Sequence, residues 1–232
     1  MEKYAVIVAG GSGLRMGTAT PKQFLLLHNK PLLWYTLHTF LTTFPDIHVV
    51  LVLPKLHFEL GEAIVQTLPA ANPIQLVAGG STRFESVKNG LQVVPNHVIV
   101  FVHDGVRCLV NVTLLQKCYL QAIAQQSAIP AVASIDSVRI VQADGKHNVA
   151  DRNGVMQIQT PQTFNSTLLK AAFEQPYHPS FTDEATVVEA YGTPVFLIEG
   201  DYNNIKVTKP LDLLIASHLL LQNSSENEMA SQ

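Results

Sequence analysis

Five short runs of β-branched and apolar residues recur along the chain, at residues 4–9, 48–53, 74–78, 98–103 and 128–133, and each is nearly continuous rather than alternating. A strand that is apolar on both faces has to be covered on both, which points to a parallel sheet clothed by helices. Between the runs lie stretches with helical spacing, 32–40, 56–68, 82–91 and 112–124, and parallel strands need crossovers of that length. The pattern predicts an α/β domain with a doubly wound, mostly parallel sheet whose ligands sit at the carboxyl ends of the strands. A length of 232 residues suits one large core and is short for two, so residues 1–222 are expected to form a single domain. From Gln222 onward the composition is Ser, Asn, Glu and Gln with little to bury, and 223–232 read as a polar, frayed tail.

The regularity breaks after Ser134. Val138-Arg139-Ile140-Val141 and His147-Asn148-Val149-Ala150 flank Ala143-Asp144-Gly145-Lys146, and Asp-Gly is a strong hairpin signal. Residues 136–152 therefore read as a protruding two-stranded arm. An isolated hairpin is marginal in water and exposes its edges, so the arm needs a surface to lie against, either a second subunit or its own domain. Further on, Asn165, Thr182 and Thr208 each precede a helical pattern and are expected as caps, Thr208 with Pro210 close behind it.

Charge and cysteine content narrow the function classes. Fifteen Lys and Arg against eighteen Asp and Glu give a net charge of −3, which lacks the basic footprint that nucleic-acid binding requires. The apolar stretch after Met1 is too brief for a signal peptide and no run approaches a membrane span, so a soluble, cytoplasmic protein is expected. Cys108 and Cys118 read as reduced packing thiols. The nine histidines show no HExxH or paired metal spacing, which disfavours zinc.

The informative loop follows the first strand: Ala9-Gly10-Gly11-Ser12-Gly13-Leu14-Arg15-Met16-Gly17, then Pro21-Lys22-Gln23. Glycines directly after a buried strand let backbone N–H groups approach an anion, and Arg15 and Lys22 add two cations to the same short segment. Three familiar motifs fail there. Gly17-Thr18 lacks the lysine of a Walker A loop; Gly11, Gly13 and Gly17 miss the dinucleotide spacing by one; Gly10-Gly11-Ser12-Gly13-Leu14 ends wrongly for a nucleophile elbow.

With Val102-His103-Asp104-Gly105-Val106-Arg107, Asp151-Arg152-Asn153-Gly154, Gln159-Thr160-Pro161-Gln162-Thr163-Phe164, Thr182-Asp183-Glu184-Ala185 and Asn204-Ile205-Lys206-Val207-Thr208, the loop resembles, in order and spacing, the 2-C-methyl-D-erythritol 4-phosphate cytidylyltransferases of the nucleotidyltransferase, glycosyltransferase-A-like group. The resemblance runs from the first strand to the last helix. It implies transfer of the cytidylyl group of CTP to 2-C-methyl-D-erythritol 4-phosphate with release of pyrophosphate, in the non-mevalonate isoprenoid pathway. A ribitol-5-phosphate cytidylyltransferase and a non-catalytic nucleotide-binding protein are the alternatives, and a nicotinamide dehydrogenase is a distant third.

The nucleophile of that reaction is a phosphate oxygen already anionic at neutral pH, so no general base is needed and fixed cations become the main catalytic device. Arg15 and Lys22 are the expected stabilisers of the transition state, one a planar fork and the other a point charge. The resemblance further implies nucleotide contacts from Ala9, Gly10, Gly11, Ser12, Gly13, Gly80, Ser81 and Ser86, although Thr82-x-x-Glu85 also fits a helix capping box. Substrate contacts are implied for Asp104, Arg107, Ser137, Arg152, Thr160, Thr182 and Lys206, with Ser137 and Arg152 reaching from the arm into a neighbouring subunit's site in a homodimer. Mg²⁺ or another divalent cation would be held mainly by the CTP phosphates, with Asp104 reaching it through water and no direct protein ligand assigned. His103 reads as a packed histidine, Arg83 equally well as a surface residue, and Lys206 as a charge at a strand end. Gly105 and Cys108 stand where the family often carries Ala and Pro, a change expected to loosen the turn that presents Arg107; Ser81 replaces an acidic residue and Ser137 a threonine.

Overall fold

The computed structural model describes residues 1–11, 20–69 and 73–230, with 223–230 as backbone. In chain order the elements are β1 (Lys3–Val8), β2 (Leu26–Leu27), β3 (Lys30–Pro31), α1 (Leu32–Thr43), β4 (His48–Leu53), α2 (Phe58–Val65), β5 (Ile74–Ala78), α3 (Arg83–Leu91), β6 (Ile99–Asp104), α4 (Val112–Gln125), β7 (Ser127–Ala133), β8 (Val138–Val141), β9 (His147–Ala150), β10 (Met156–Ile158), β11 (Gln162–Asn165), α5 (Ser166–Ala172), α6 (Glu184–Ala190), β12 (Leu197–Glu199) and α7 (Pro210–Ala230). The five apolar runs are β1, β4, β5, β6 and β7.

Strands β6, β1, β4 and β5 lie side by side and parallel. Their residues alternate between two layers. Ala5, Ile7, Val49, Leu51, Leu53, Ile99 and Phe101 pack with α1 and α4, while Val6, Val50, Val52, Val100 and Val102 pack with α3, α5 and α6. Both faces of β6, β1 and β4 are thus buried, which is why those runs carry no polar alternation; β5, at the sheet edge, exposes Gln75 and is covered less than its apolar run implies. Helix α3 approaches the sheet at Gly90, where a Cβ would lie 2.6 Å from Val6 Cγ1.

The eight-stranded sheet departs from parallel where β11 runs antiparallel between β6 and β7. Strands β10 and β11 are one returning strand, broken between them: both pair with β7, Met156 opposite Ala133 and Thr163 opposite Ala128. Strand β12 takes the other edge of β7. Gln159 N donates to Pro130 O on the first edge and Gly200 N to Ala131 O on the second. Pro130 has no N–H to offer on the side where the returning strand breaks, so no ladder bond is forfeited there. That break delivers Gln159 and Thr160 to the carboxyl end of β6.

The arm is present as read: β8 and β9 pair antiparallel, Val138 opposite Ala150 and Val141 opposite His147. Gly145 N closes the turn onto Gln142 O at 3.0 Å with Gly145 at φ +83°, the left-handed position that glycine fills without strain.

Asn165 caps α5 as expected, accepting from Thr167 N. Thr182 does not cap α6; Asp183 does, in a reciprocal capping box with Thr186, because a carboxylate is the better acceptor at a helix N-terminus. Thr208 is also not an acceptor: its N–H and hydroxyl both donate to Asp212 Oδ2, at 2.8 and 3.0 Å, ahead of a helix that starts at Pro210. Helix α7 runs on to Ala230, past the boundary at 222 that composition set; extending an existing helix avoids the cost of nucleating one. Both cysteines are free and buried, and burial pushes their thiols up to about 12.

Candidate active site

Two adjoining clefts open at the carboxyl ends of β1 and β6. The first, about 280 Å³, is lined by Ala9, Gly10, Gly11, Lys22, Gly80, Ser81, Arg83, Ser86, Asp104 and Lys206 among others. The second, about 190 Å³, is lined by Arg83, Asp104, Arg107, Thr160, Gln162, Thr182, Asp183 and Lys206 with their neighbours. Arg83, Asp104 and Lys206 belong to both. Among the described residues, Lys22, Arg83, Arg107 and Lys206 face the two lobes against the carboxylates of Asp104 and Asp183, with Glu184 paired to Arg83 behind them, in a chain whose net charge is −3; the excess of cations concentrates positive potential where anions would meet.

On the side of the first cleft, Lys22 opens a single 3₁₀ turn, Lys22–Phe24. The next residue, Gln23, is buried and donates through Nε2 to Ala9 O at 2.8 Å, which ties the turn to the end of β1. A Cβ on Gly11 would lie 3.7 Å from Lys22 Cε, so the lysine stem passes close over the glycine backbone. Arg15, Ser12 and Gly13 lie outside the described residues.

The second wall is the turn into α3. Thr82 caps the helix through Glu85 N at 3.1 Å. The Glu85 carboxylate accepts instead from Ser81 N and Ser81 Oγ, at 2.7 and 2.6 Å, so the capping box is closed one residue early; these bonds hold Glu85 below the ordinary glutamate range. The Ser86 hydroxyl donates to Thr82 O at 2.9 Å and accepts from Gly80 N at 3.1 Å. A side chain at Gly80 would run into Glu85. Ser86 keeps one lone pair free of these bonds.

Asp104 is the hub. Lys206 Nζ sits 2.9 Å from Oδ2, Arg107 Nε 3.6 Å from Oδ2, and Arg83 Nε 3.5 Å from Oδ1. Burial alone would raise its pKa, but Arg83, Lys206 and Arg107 together hold the carboxyl well below the usual range. The turn that carries it is fixed by a chain of donors: Asp104 N–H donates to Thr160 Oγ1 at 3.1 Å. The Thr160 hydrogen is then free to go only to His103 Nδ1, 3.0 Å away. His103 Nε2–H in turn donates to Arg107 O at 3.3 Å. His103 is enclosed and burial takes its pKa down to about 3, so it is neutral and structural, as its sequence context suggested. The Thr160 hydroxyl lines the second cleft while its hydrogen is engaged internally.

Arg107 Nη1 donates to Asn204 O at 2.7 Å, and Asn204 Nδ2 donates to Thr160 O at 2.8 Å. One buried asparagine therefore clamps both Arg107 and the strand break. Lys206 follows it in an irregular segment rather than at a strand end. The turn at Gly105 is tight rather than loosened: Gly105 N donates to Val8 O, Thr36 Oγ1 donates to Gly105 O, and a Cβ would stand 3.0 Å from Ala9 Cβ and Leu33 Cδ1. Glycine fits there because β1 and α1 press against it.

Arg83 is half-buried between the two clefts rather than a free surface residue. Its Nη1 and Nη2 donate to Glu184 Oε1 and Oε2, at 2.6 and 3.0 Å, and Glu184 is wholly buried. This pair, with Gln23, Gln162 and Asn204, went unassigned in the sequence although most of it lies inside the quoted motifs. Ser137 and Arg152 are not brought into the cleft: both are exposed at the root of the arm, where Arg152 Nη1 donates to Ile135 O at 3.4 Å. Among the described residues, no group of three or more His, Cys, Asp or Glu side chains could hold a metal ion, and no helix is long and apolar enough to cross a membrane.

Comparison with known proteins agrees with this architecture. Residues 4–222 match the family described as IspD, 2-C-methyl-D-erythritol 4-phosphate cytidylyltransferase. The enzyme of that name from Porphyromonas gingivalis is 46% identical over 221 residues, covering 94% of this chain and 98% of its own. The one from Bacteroides fragilis is 43% identical over 220 residues, covering 95% and 100%. The crystal structure of the 4-diphosphocytidyl-2C-methyl-D-erythritol synthase from Anaerococcus prevotii superimposes with a TM-score of 0.80 at 28% identity, covering 95% of this chain and 98% of that one. The family match spans the parallel sheet, the broken strand and both lobes, and the chain belongs to the 2-C-methyl-D-erythritol 4-phosphate cytidylyltransferase family.

Proposed function

We propose that the double cleft transfers the cytidylyl group of CTP to 2-C-methyl-D-erythritol 4-phosphate, forming 4-diphosphocytidyl-2-C-methyl-D-erythritol and pyrophosphate in non-mevalonate isoprenoid synthesis. The observation that carries this reading is the sharing of Arg83, Asp104 and Lys206 between two adjoining lobes. Joining two anions requires both to be held side by side with cations between them.

The nucleotide takes the lobe of Ala9, Gly10, Gly11, Gly80, Ser81 and Ser86, to which the resemblance adds Ser12 and Gly13. The open lone pair of Ser86 suits the exocyclic amine of cytosine. The acceptor takes the other lobe, its phosphate facing Arg107, Lys206 and Thr182, with Thr160 holding the turn. An attacking phosphate oxygen carries no proton at neutral pH, so the neutral His103 has none to remove. Lys22 and Arg15 meet the charge that builds on the α-phosphate and the leaving group. Asp104, already ringed by three cations, is a poor inner-sphere ligand and fits a Mg²⁺ held by the triphosphate and reached through water. Such an ion, when bound, would supply Lewis-acid charge stabilisation to the phosphates. Two copies joined through the arm would bring Ser137 and Arg152 to the partner's acceptor lobe, in a cytoplasmic homodimer.

Pyrophosphate release from CTP, measured with 2-C-methyl-D-erythritol 4-phosphate and ribitol 5-phosphate in parallel, tests the reading. Faster turnover of the methylerythritol phosphate is expected. A marked ribitol preference, or tight CTP binding with neither acceptor consumed, overturns it.

A further inference from the structure

Arg83 and Glu184 are the first residues of α3 and α6, so their bidentate bridge joins the wall of the nucleotide lobe to the wall of the acceptor lobe. The residues on either side of Glu184 are held by Gln162 of β11: Gln162 Nε2 donates to Asp183 Oδ2 at 2.9 Å, and Gln162 Oε1 accepts from Ala185 N at 2.8 Å. The guanidinium spends Nη1 and Nη2 on Glu184 and turns its remaining edge, Nε, to Asp104 Oδ1. Asp104 thereby has a separate anchor for each oxygen, with Oδ2 left to Lys206 and Arg107. Stability alone does not account for this arrangement, because apolar side chains of similar volume would join the two helices at least as well as a buried ion pair.

We propose that Arg83 and Glu184 are positioning residues for the transfer: Glu184 locks the guanidinium, the guanidinium fixes the Asp104 carboxylate, and the carboxylate aims Lys206 and Arg107 at the acceptor phosphate. The proposal rests on the assignment of the two lobes given above. Without the Arg83 anchor the Asp104 carboxylate turns freely, and the two acceptor-side cations lose their reference. The nucleotide lobe shares Asp104, but most of its wall, the end of β1 and the turn before α3, is held by bonds that do not involve that carboxylate.

The test uses the full-length enzyme carrying Arg83→Lys or Glu184→Gln, with folding checked by circular dichroism and thermal melting. Arg83→Lys keeps the charge balance with Glu184 and so carries the test should the neutralised variant fold poorly. KM for 2-C-methyl-D-erythritol 4-phosphate is expected to rise about tenfold or more, while the Kd for CTP, measured calorimetrically without acceptor, stays within about threefold. Glu184→Asp should recover part of the loss. Two results overturn the positioning role: an acceptor KM that does not move while kcat falls only with the folded fraction, or CTP affinity that weakens as much as the acceptor KM. Lys206→Ala, run alongside, separates the layers. If it raises the acceptor KM and Arg83→Lys does not, the positioning role alone is lost. If Lys206→Ala has no effect either, the lobe assignment falls and takes this role with it.

Discussion

Lys22 rides on a short turn whose neighbour Gln23 is pinned to Ala9, so its ammonium group is presented by the end of β1 itself. A charge held in this way is worth most where charge appears only during the reaction. Lys22→Ala is expected to lower kcat about 100-fold or more while weakening CTP binding less than about fivefold, as read by steady-state kinetics and calorimetry. Equal losses in both would reduce Lys22 to ground-state attraction. Lys22 was legible in the sequence because it lies beside glycines that follow a buried strand. Arg83 was not, because the carboxylate that draws it inward is 101 positions away and nothing near Arg83 in the chain announces it. Glu184, next to the cap Asp183, resembled an ordinary helix-dipole residue for the same reason.

Among the elements, the arm has the least support from its own chain. Strands β8 and β9 pair only with each other, and Ile140, Val141 and Val149 are 62%, 67% and 69% exposed. A two-stranded ribbon with three such residues is marginal in water and gains most from a partner surface. The double variant Ile140→Asp, Val149→Asp is expected to convert a dimer to a monomer in light scattering. In the proposed homodimer turnover should drop with the loss of Ser137 and Arg152 from the neighbouring site, while the separated chain keeps its native circular dichroism because neither side chain is in the core. A parent that is monomeric and fully active would remove the arm from catalysis. The hairpin was readable from Asp144-Gly145 between apolar runs, since its turn is local. The β10–β11 break was not readable, because Pro130 and Gln159 meet only once β7 and the returning strand are paired.

At the scale of the whole molecule, the buried polar chain under the cleft links stability to pH. His103 has its pKa lowered to about 3 by burial, against about 6.5 in an unfolded chain. The unfolded state therefore takes up a proton that the native state excludes. This contribution is fully present above about pH 6.5 and is lost as pH falls toward 3, at up to about 1.4 kcal/mol per pH unit. Asp104, held low by its cations against the cost of burial, acts in the same direction but only below about pH 4. Glu184 is raised by burial despite Arg83 and acts in the opposite direction, so a variant is needed to separate them. The denaturation midpoint should fall between pH 7.5 and 5.5, the slope should flatten in His103→Gln, and the His103 ring protons should not titrate in NMR over that range. What the sequence determined by itself was whatever depends on near neighbours: five sheet strands, helix-length crossovers and the hairpin, all set by residue periodicity and turn chemistry. The Asp104 hub, the Arg83–Glu184 bridge and the Asn204 clamp were decided only by the tertiary structure, because burial is what makes a charge seek a partner, and which partner is within reach depends on how the layers stack.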